Sequence, residues 1–382
     1  MLILLKTPLE TLNYFIDSMA KGHPDATVMD ITDPDFFSKA TELLPHMDTQ
    51  TTVLLFNGAG RAFEFSDGRN VWESKGVRLF NFLVDHPVNY IEYLRAPLVG
   101  ETVLVIDRSH KAFVERYHPD VRVFFMPHGG TKGHTAIPYE EREIPVIYLG
   151  SCQERVADFP ALPYLSESGK FYEFIIRRMI GDYSLSAQAA VEMFLDHEGI
   201  ALPQDKEADM ILAAHCNVER ICRRKQKLET IHRLAQGGIP VEIYGVHWEE
   251  VAAIFPDLIR LHERVSSDEC VRLTGNAKIA LNLSTYLKDG SHERVYIAML
   301  NKALCVTERS RYLEEKFTDG KDIIFFDYER LDLLCDKIKH LLSHPREADE
   351  IIQNAYARVA RSTWGDRLND IIHGPYDPPT TP

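Results

Sequence analysis

Cysteine is sparse and scattered in this 382-residue chain: Cys152, Cys216, Cys222, Cys270, Cys305 and Cys335 include no Cys-x-x-Cys pair. Such spacing excludes a disulfide framework and the usual structural zinc motifs. It points to reduced thiols packed as small apolar residues and to a cytoplasmic setting. No window approaches eighteen consecutive apolar residues, which excludes a membrane-spanning helix, and the opening "MLILLK" is too short for a secretory leader. A basic excess is also missing: with a net charge of −14 no face is available for general nucleic-acid binding. None of the sixteen histidines sits in a His-Glu-x-x-His motif, no Asp-x-Asp ends a strand and there is no Gly-x-Ser-x-Gly. Zinc proteolysis, metal-held diphosphate and serine hydrolysis therefore lack their motifs, and a chain without metal or other cofactor is expected.

What is present is a globular balance, 45% hydrophobic and 26% charged, in a chain long enough for two domains. "MLILLKTPLETLNYFIDSMAKGHPDATVMDIT" reads as strand, helix and strand, with Thr7 as N-cap, Pro8 at the first helical position and Leu9, Leu12, Ile16 and Met19 on one face. Short apolar runs at Thr51–Asn57, Val77–Asp85, Thr102–Asp107 and Val121–Pro127 continue the series. They suit a parallel sheet covered on both faces. The mixture of glycine, proline and charge over His128–Glu143 reads as a linker. A second series opens with Ile144–Ser151 and pauses for a helical region of about Tyr164 to Gln236. It resumes with "PVEIYG", "DLIRLH", "AKIALNLS", "KALCVT" and "DIIFFD". The fold class expected is α/β, with two doubly wound Rossmann-like domains facing a central cleft and ligands bound beyond the carboxyl ends of the strands.

Three loops could carry chemistry. In "KDGSHERVYIAMLNKALCVTE", Lys288 to Glu308, Ser291 is placed to cap a helix. The first-turn N–H groups of His292, Glu293 and Arg294 then offer an anion site. A cation in that turn opposes the helix dipole, and a bound diphosphate would account for Arg294; pairing with Asp289 or Glu293 is the alternative. "VDHPVNY" puts Asp85 and His86 directly after a strand, where a carboxylate could take a hydroxyl proton or merely cap a turn before Pro87. "MPHGGTKGH" offers His128 as a sugar or phosphate contact, or only a glycine hinge. "FNGAG", Phe56 to Gly60, is too weak a glycine pattern for dinucleotide binding. The basic run "ERICRRKQK", Glu219 to Lys227, reads as the solvated side of a long helix.

From about Leu261 to Ile372, through "VSSDECVRLTGNAKIALNLSTYLKDGSHERVYIAMLNKALCVTERSRYLEEKFTDGKDIIFFD" and "STWGDR", the chain resembles the CgeB-like, spore-maturation-protein type of group-1 glycosyltransferase in the GT-B superfamily. The first half is similar to the matching domain more weakly, through "FLVDHPVNY", "DRSH" and "FMPHGG". The resemblance implies an acceptor-side domain at 1–140, a nucleotide-sugar domain at 141–350 and a helical tail at 351–382 that packs back on the first domain. It implies transfer of a sugar from a nucleotide-sugar donor to a saccharide, protein or small-molecule acceptor. By position, Gly150, Tyr244, Gly245, Arg264, Gly290, Ser291, His292, Glu293 and Arg294 would surround the donor, and Asp85 or His128 would serve as base. Where many members carry two glutamates eight positions apart, this chain has Asp289 and Ile297. Ile297 cannot bond a ribose, so an epimerase of the same fold and a catalytically silent sugar-nucleotide-binding subunit stay as alternatives.

Overall fold

The computed structural model describes residues 1–133, 137–156, 158–165 and 167–376. It contains two six-stranded sheets in which every pairing is parallel. The first is built from β1 (Leu2–Lys6), β2 (Thr27–Asp30), β3 (Thr52–Phe56), β4 (Arg78–Leu83), β5 (Glu101–Val105) and β6 (Val123–Phe125), in the order β2-β1-β3-β4-β5-β6. The second holds β7 (Ile144–Leu149), β8 (Val241–Tyr244), β9 (Ile259–His262), β10 (Ala277–Asn282), β11 (Leu304–Glu308) and β12 (Ile324–Phe326), in the order β12-β11-β10-β7-β8-β9. Both are Rossmann-like sheets with flanking helices, the α/β class expected. The central strands β3, β5 and β11 are buried along their whole length, as strands covered on both faces must be.

The chain divides into two compact units. Unit 1 comprises Met1–Thr131, Ser266–Asp268 and the segment from Ala360 onward; unit 2 comprises Lys132–Val265 and Glu269–Val359. The division falls inside the stretch read as a linker, of which His134, Thr135 and Ala136 lie outside the described residues.

In unit 1, Ile3, Leu5, Val53, Leu55 and Leu79 pack on one face of the sheet. The other face is closed by the helix Trp364–His373. Trp364 is fully buried, stacks on Phe15 at 4.3 Å between ring centroids and meets Phe56 and Phe82 edge-on. The helix is set by "STWGD": Thr363 and Asp366 form a reciprocal capping box, and Gly130 bridges to Thr363. At the start of the chain the cap differs from expectation. The first helix is Glu10–Ala20 with Leu9 at its N-cap, and the Thr7 hydroxyl accepts from Leu9 N at 3.0 Å one step earlier. Asn13 grips both the N–H and the carbonyl of Thr7, so the turn is tied from inside the helix.

In unit 2 the crossover from β7 to β8 is longer than a single helix. It runs through helices Ser168–Gly181, Ala187–Glu198 and Gln204–Ala213, a π-helical turn Ala214–Glu219 and the helix Arg220–Gln236. Ser186 caps the second of these, and Gly199 ends it at φ 63°, a left-handed conformation suited to glycine.

Candidate active site

At the carboxyl end of β7 the chain runs Leu149, Gly150, Ser151, and unit 2 gathers cations around that turn. Arg294, in the first turn of the helix Glu293–Leu300, reaches back so that Nη1 donates to the Leu149 carbonyl at 2.6 Å. Its guanidinium lies 5.6 Å from the centre of the Tyr148 ring. Lys227, on the helix Arg220–Gln236, is only 4% exposed, and Nζ donates to the Ser151 carbonyl at 3.0 Å. Burial, with the charges of Arg223 and Arg294 beside it, pushes the Lys227 ammonium well below its ordinary range. One turn back, the Arg223 guanidinium sits 4.3 Å from the centre of the Tyr286 ring.

These groups are satisfied only in part. The Nε atoms of Arg223 and Arg294 and the Tyr328 hydroxyl are buried without a hydrogen-bond partner. Buried donors of this kind are expensive unless something accepts from them. Among buried acids, Glu308 at the end of β11 takes the Thr285 N–H at 2.5 Å, and burial raises its carboxyl above the usual range. A carboxyl that leans toward neutrality offsets little of the cationic charge, whereas buried Glu219, paired with His215 and held, against its burial, below the usual carboxylate range by His215 and Arg223, offsets part of it. Thr285 itself stands at φ 57°, strained for a β-branched residue, so the loop after β10 is held in an unfavourable backbone by that contact.

Two glycines make the turn possible. A Cβ on Gly150 would lie 2.6 Å from Arg294 Nη1, and one on Gly245, at φ 157°, would lie 2.5 Å from the Gly150 carbonyl oxygen. Gly150 N donates to Tyr244 O, and its carbonyl accepts from Trp248 Nε1 at 2.9 Å. Tyr244 stacks on His262 at 4.2 Å, nearly parallel. Arg264 is exposed in the loop after β9.

The capping residue of the helix Glu293–Leu300 is His292, with Ser291 buried one place before it. Backbone geometry decides this, because the helix begins one residue later than the pattern suggests. His292 Nδ1 lies 2.9 Å from Glu293 Oε2 and 3.4 Å from Arg294 N, so the carboxylate contact is the closer of the two. The Gly290 carbonyl accepts from Ser310 Oγ at 2.7 Å. Thus Gly150, Tyr244, Gly245 and Arg294 come together, while His292 and Glu293 pair with each other at the helix start. Ile297 is buried in the helix.

In unit 1, Asp85 is exposed after β4, and its Oδ2 accepts from Asn57 Nδ2 at 3.0 Å and Tyr90 OH at 3.1 Å. The turn cap that Asp85 might have supplied comes from His86, whose Nδ1 accepts from Val88 N. His128 is only 2% exposed, edge-on to Trp364 and Phe15, and its carbonyl accepts from Arg367. That ring is enclosed by the aromatic side chains of unit 1.

The basic run read as a solvated face is the clearest correction. Lys227 and Gln226 are buried, Arg223 is half-buried, and Arg224 ties to Gln153 O and Glu250. A signal was available: the buried positions Ile231, Leu234 and Ala235, continued back by fours, place Lys227 and Arg223 on the same inner face.

A cavity of about 650 Å³ on unit 2 is lined by Val251, Leu331 and Tyr328, with Glu229, Glu250, Glu329 and Asp332 beside His232 and Arg233. Among the described residues no group of three or more His, Cys, Asp or Glu is arranged to hold a metal ion, and no helix is long and apolar enough to cross a membrane.

Comparison with known proteins bears on this arrangement. Residues 223–373 match the family model described as "Glycosyl transferase-like". The match begins at Arg223 and spans Lys227, Arg294 and Glu308. Sucrose-phosphate synthase from Thermosynechococcus elongatus has a similar fold, with 11% identity, TM-score 0.54 and 97% of each chain covered. So has a glycosyltransferase from Rickettsia africae, at 11% identity and TM-score 0.51, with 98% of this chain and 99% of that one covered. A variant of S. aureus TarM, solved with fondaparinux, α-GlcNAc-glycerol and UDP, gives 13% identity and TM-score 0.52 over 87% of this chain. The chain spans only 57% of that protein's length. These likenesses establish the two-unit GT-B fold. No curated protein matches the sequence.

Proposed function

We propose that the protein is a glycosyltransferase that moves a sugar from a nucleotide-sugar donor to an acceptor hydroxyl without a metal ion. The observation that carries this reading is the cation cluster at the β7 turn: Arg223, Lys227 and Arg294 around Gly150 and Ser151, with two buried guanidinium Nε atoms unpartnered. A diphosphate would accept from those donors and offset the Arg223 and Arg294 charges that, after burial, depress Lys227. As the bond between the anomeric carbon and the diphosphate oxygen breaks, that oxygen takes the electron pair. The cations stabilise the charge where it grows, the task that a metal performs in other transferases. Gly150 and Gly245 let the ligand approach the backbone, and the Tyr244–His262 pair offers a flat surface for the nucleoside. Arg264, Gly290 and Ser291 remain proposed donor contacts.

On the acceptor side Asp85 takes the hydroxyl proton as the acceptor oxygen bonds to the anomeric carbon. This is a single displacement and inverts configuration, so a product of retained configuration would remove Asp85 as base. Six free thiols support a reducing, cytoplasmic setting. The resemblance to the CgeB-like type supports the same assignment. The silent binding subunit is the second reading, favoured by Ile297 where related enzymes hold ribose. Incubation with UDP-, GDP-, ADP- and dTDP-sugars tests the proposal. Release of nucleoside diphosphate supports transfer, an isomerised donor shows an epimerase, and binding without turnover shows the silent subunit.

A further inference from the structure

Asp85 is an exposed side chain on a loop, and an exposed aspartate ordinarily samples several rotamers. Here it does not stand alone. Asn57 ends β3 at φ 52°, a left-handed conformation that asparagine tolerates and most residues resist. Its backbone N donates to Phe82 O and its Oδ1 accepts from Val84 N at 3.0 Å, which ties it to the end of β4. With the oxygen committed to Val84, the amide nitrogen must face Asp85 Oδ2, at 3.0 Å. The orientation of the amide is thus fixed by its own partners. Tyr90 supplies a second donor to the same oxygen, at 3.1 Å. Burial, and then the Asp85 charge, raise the Tyr90 phenol far above its ordinary range, so it keeps its proton and remains a donor.

The loop beneath is equally fixed. Gly58 N donates to Asn81 Oδ1, Asn81 Nδ2 donates to Glu101 Oε1, and Glu101 is clamped by Arg61 in a buried pair. Arg61 also donates to the Ala96 carbonyl, in the segment that follows Tyr93. A Cβ on Gly58 would lie 2.3 Å from the Tyr93 ring, so no other residue fits without displacing that ring.

We propose that Asn57 and Tyr90 are positioning residues that hold Asp85 by Oδ2 and thereby present Oδ1 to the hydroxyl of the acceptor substrate. This rests on the reading of Asp85 as the acceptor-side group. Two donors on one oxygen leave the carboxylate a single direction in which to accept, and a reacting hydroxyl demands that kind of alignment. Neither Asn57 nor Tyr90 touches the substrate in this scheme.

Tyr90→Phe removes one donor, and Asn57→Asp removes the other and sets another carboxylate against Asp85 Oδ2. The second keeps the oxygen for Val84 and a residue type that tolerates φ near 52°. The first measurement needs no substrate. In protein carrying 13C at aspartate Cγ, the Asp85 signal, assigned by its loss in Asp85→Asn, moves at fixed neutral pH in both variants while the Asp107 signal stays. An Asp85 signal unmoved in both overturns the proposal, whatever the reaction. The second measurement is steady-state turnover of whichever panel donor releases nucleoside diphosphate. Each variant lowers kcat about 10- to 100-fold with the donor KM unchanged, and neither lowers it further in the Asp85→Asn background. Full kcat in both variants, with Asp85→Asn inactive, sinks the positioning role and leaves Asp85 as base. Full kcat in Asp85→Asn sinks both.

Discussion

The two units share one design and use charge in opposite ways. In unit 1 the buried Arg61 is cancelled: it makes three hydrogen bonds to Glu101, which also takes Asn81 and Leu98 N. In unit 2 the hydrogen bonds of Lys227 and Arg294 go to backbone carbonyls, and Arg223 and Arg294 lie against aromatic rings. A paired charge costs little and builds a scaffold, whereas an uncompensated one costs stability unless a ligand completes it. Under the proposed function, unit 1 is the place where neutral donors aim a carboxylate, and unit 2 the place where an anion binds.

The comparison breaks most visibly if Lys227 proves structural. Lys227→Met keeps the length of the side chain and removes the charge. Nucleoside diphosphate affinity is expected to fall by 100-fold or more, while the thermal midpoint stays or rises by a few degrees, because a buried amine whose burial disfavours its charged form is replaced by an apolar side chain. Calorimetric titration and a thermal melt on the same sample check both signs. Lowered stability with unchanged affinity would place Lys227 with Arg61, as scaffold.

Asp85→Asn is expected to lower transfer by about 10²- to 10⁴-fold with donor affinity preserved, as read by product formation and titration. Trp364→Ala tests the other side of unit 1. It removes the ring between Phe15, Phe56 and Phe82 at a cost of about 3–5 kcal/mol, measured by denaturant unfolding. Gly150→Ala brings a methyl to 2.6 Å from Arg294 Nη1, and diphosphate affinity should fall about tenfold.

The smallest effect concerns protons. Since the folded Lys227 value lies well below its ordinary 10.5, the unfolded chain binds more protons between those two values, and stability rises with pH across that window. A bound diphosphate favours the ammonium, so binding takes up protons and weakens as pH climbs through the depressed value. Titrations in buffers of different ionisation enthalpy should show proton uptake on binding that is lost in Lys227→Met.

Much of this fold was legible from the chain. Short β-branched runs separated by helix-length segments lead to parallel strands, and each of the apolar runs from Thr51 to Phe326 contains one. The placement of Arg294 in a helix's first turn was also legible, and the structure turns its guanidinium back to the Leu149 carbonyl at the β7 turn. Lys227 was not seen, since a run of arginine and lysine looks solvated until the apolar stripe at Ile231 and Leu234 is carried back through it. Nor could the pattern separate Ser291 from His292 as the cap, which turns on one residue of backbone geometry. The fixing of Asp85 by Asn57 was hidden for a different reason: residues 28 positions apart meet only when β3 and β4 pair.

The central claim is that the β7 turn of unit 2 binds the diphosphate of the donor. Its most direct test is calorimetric titration of the wild type and Arg294→Ala with UDP, GDP, ADP and dTDP. The account predicts that one of these binds the wild type and loses at least 100-fold in affinity in the variant, with the fold intact by circular dichroism. Equal affinity in the two proteins would contradict it.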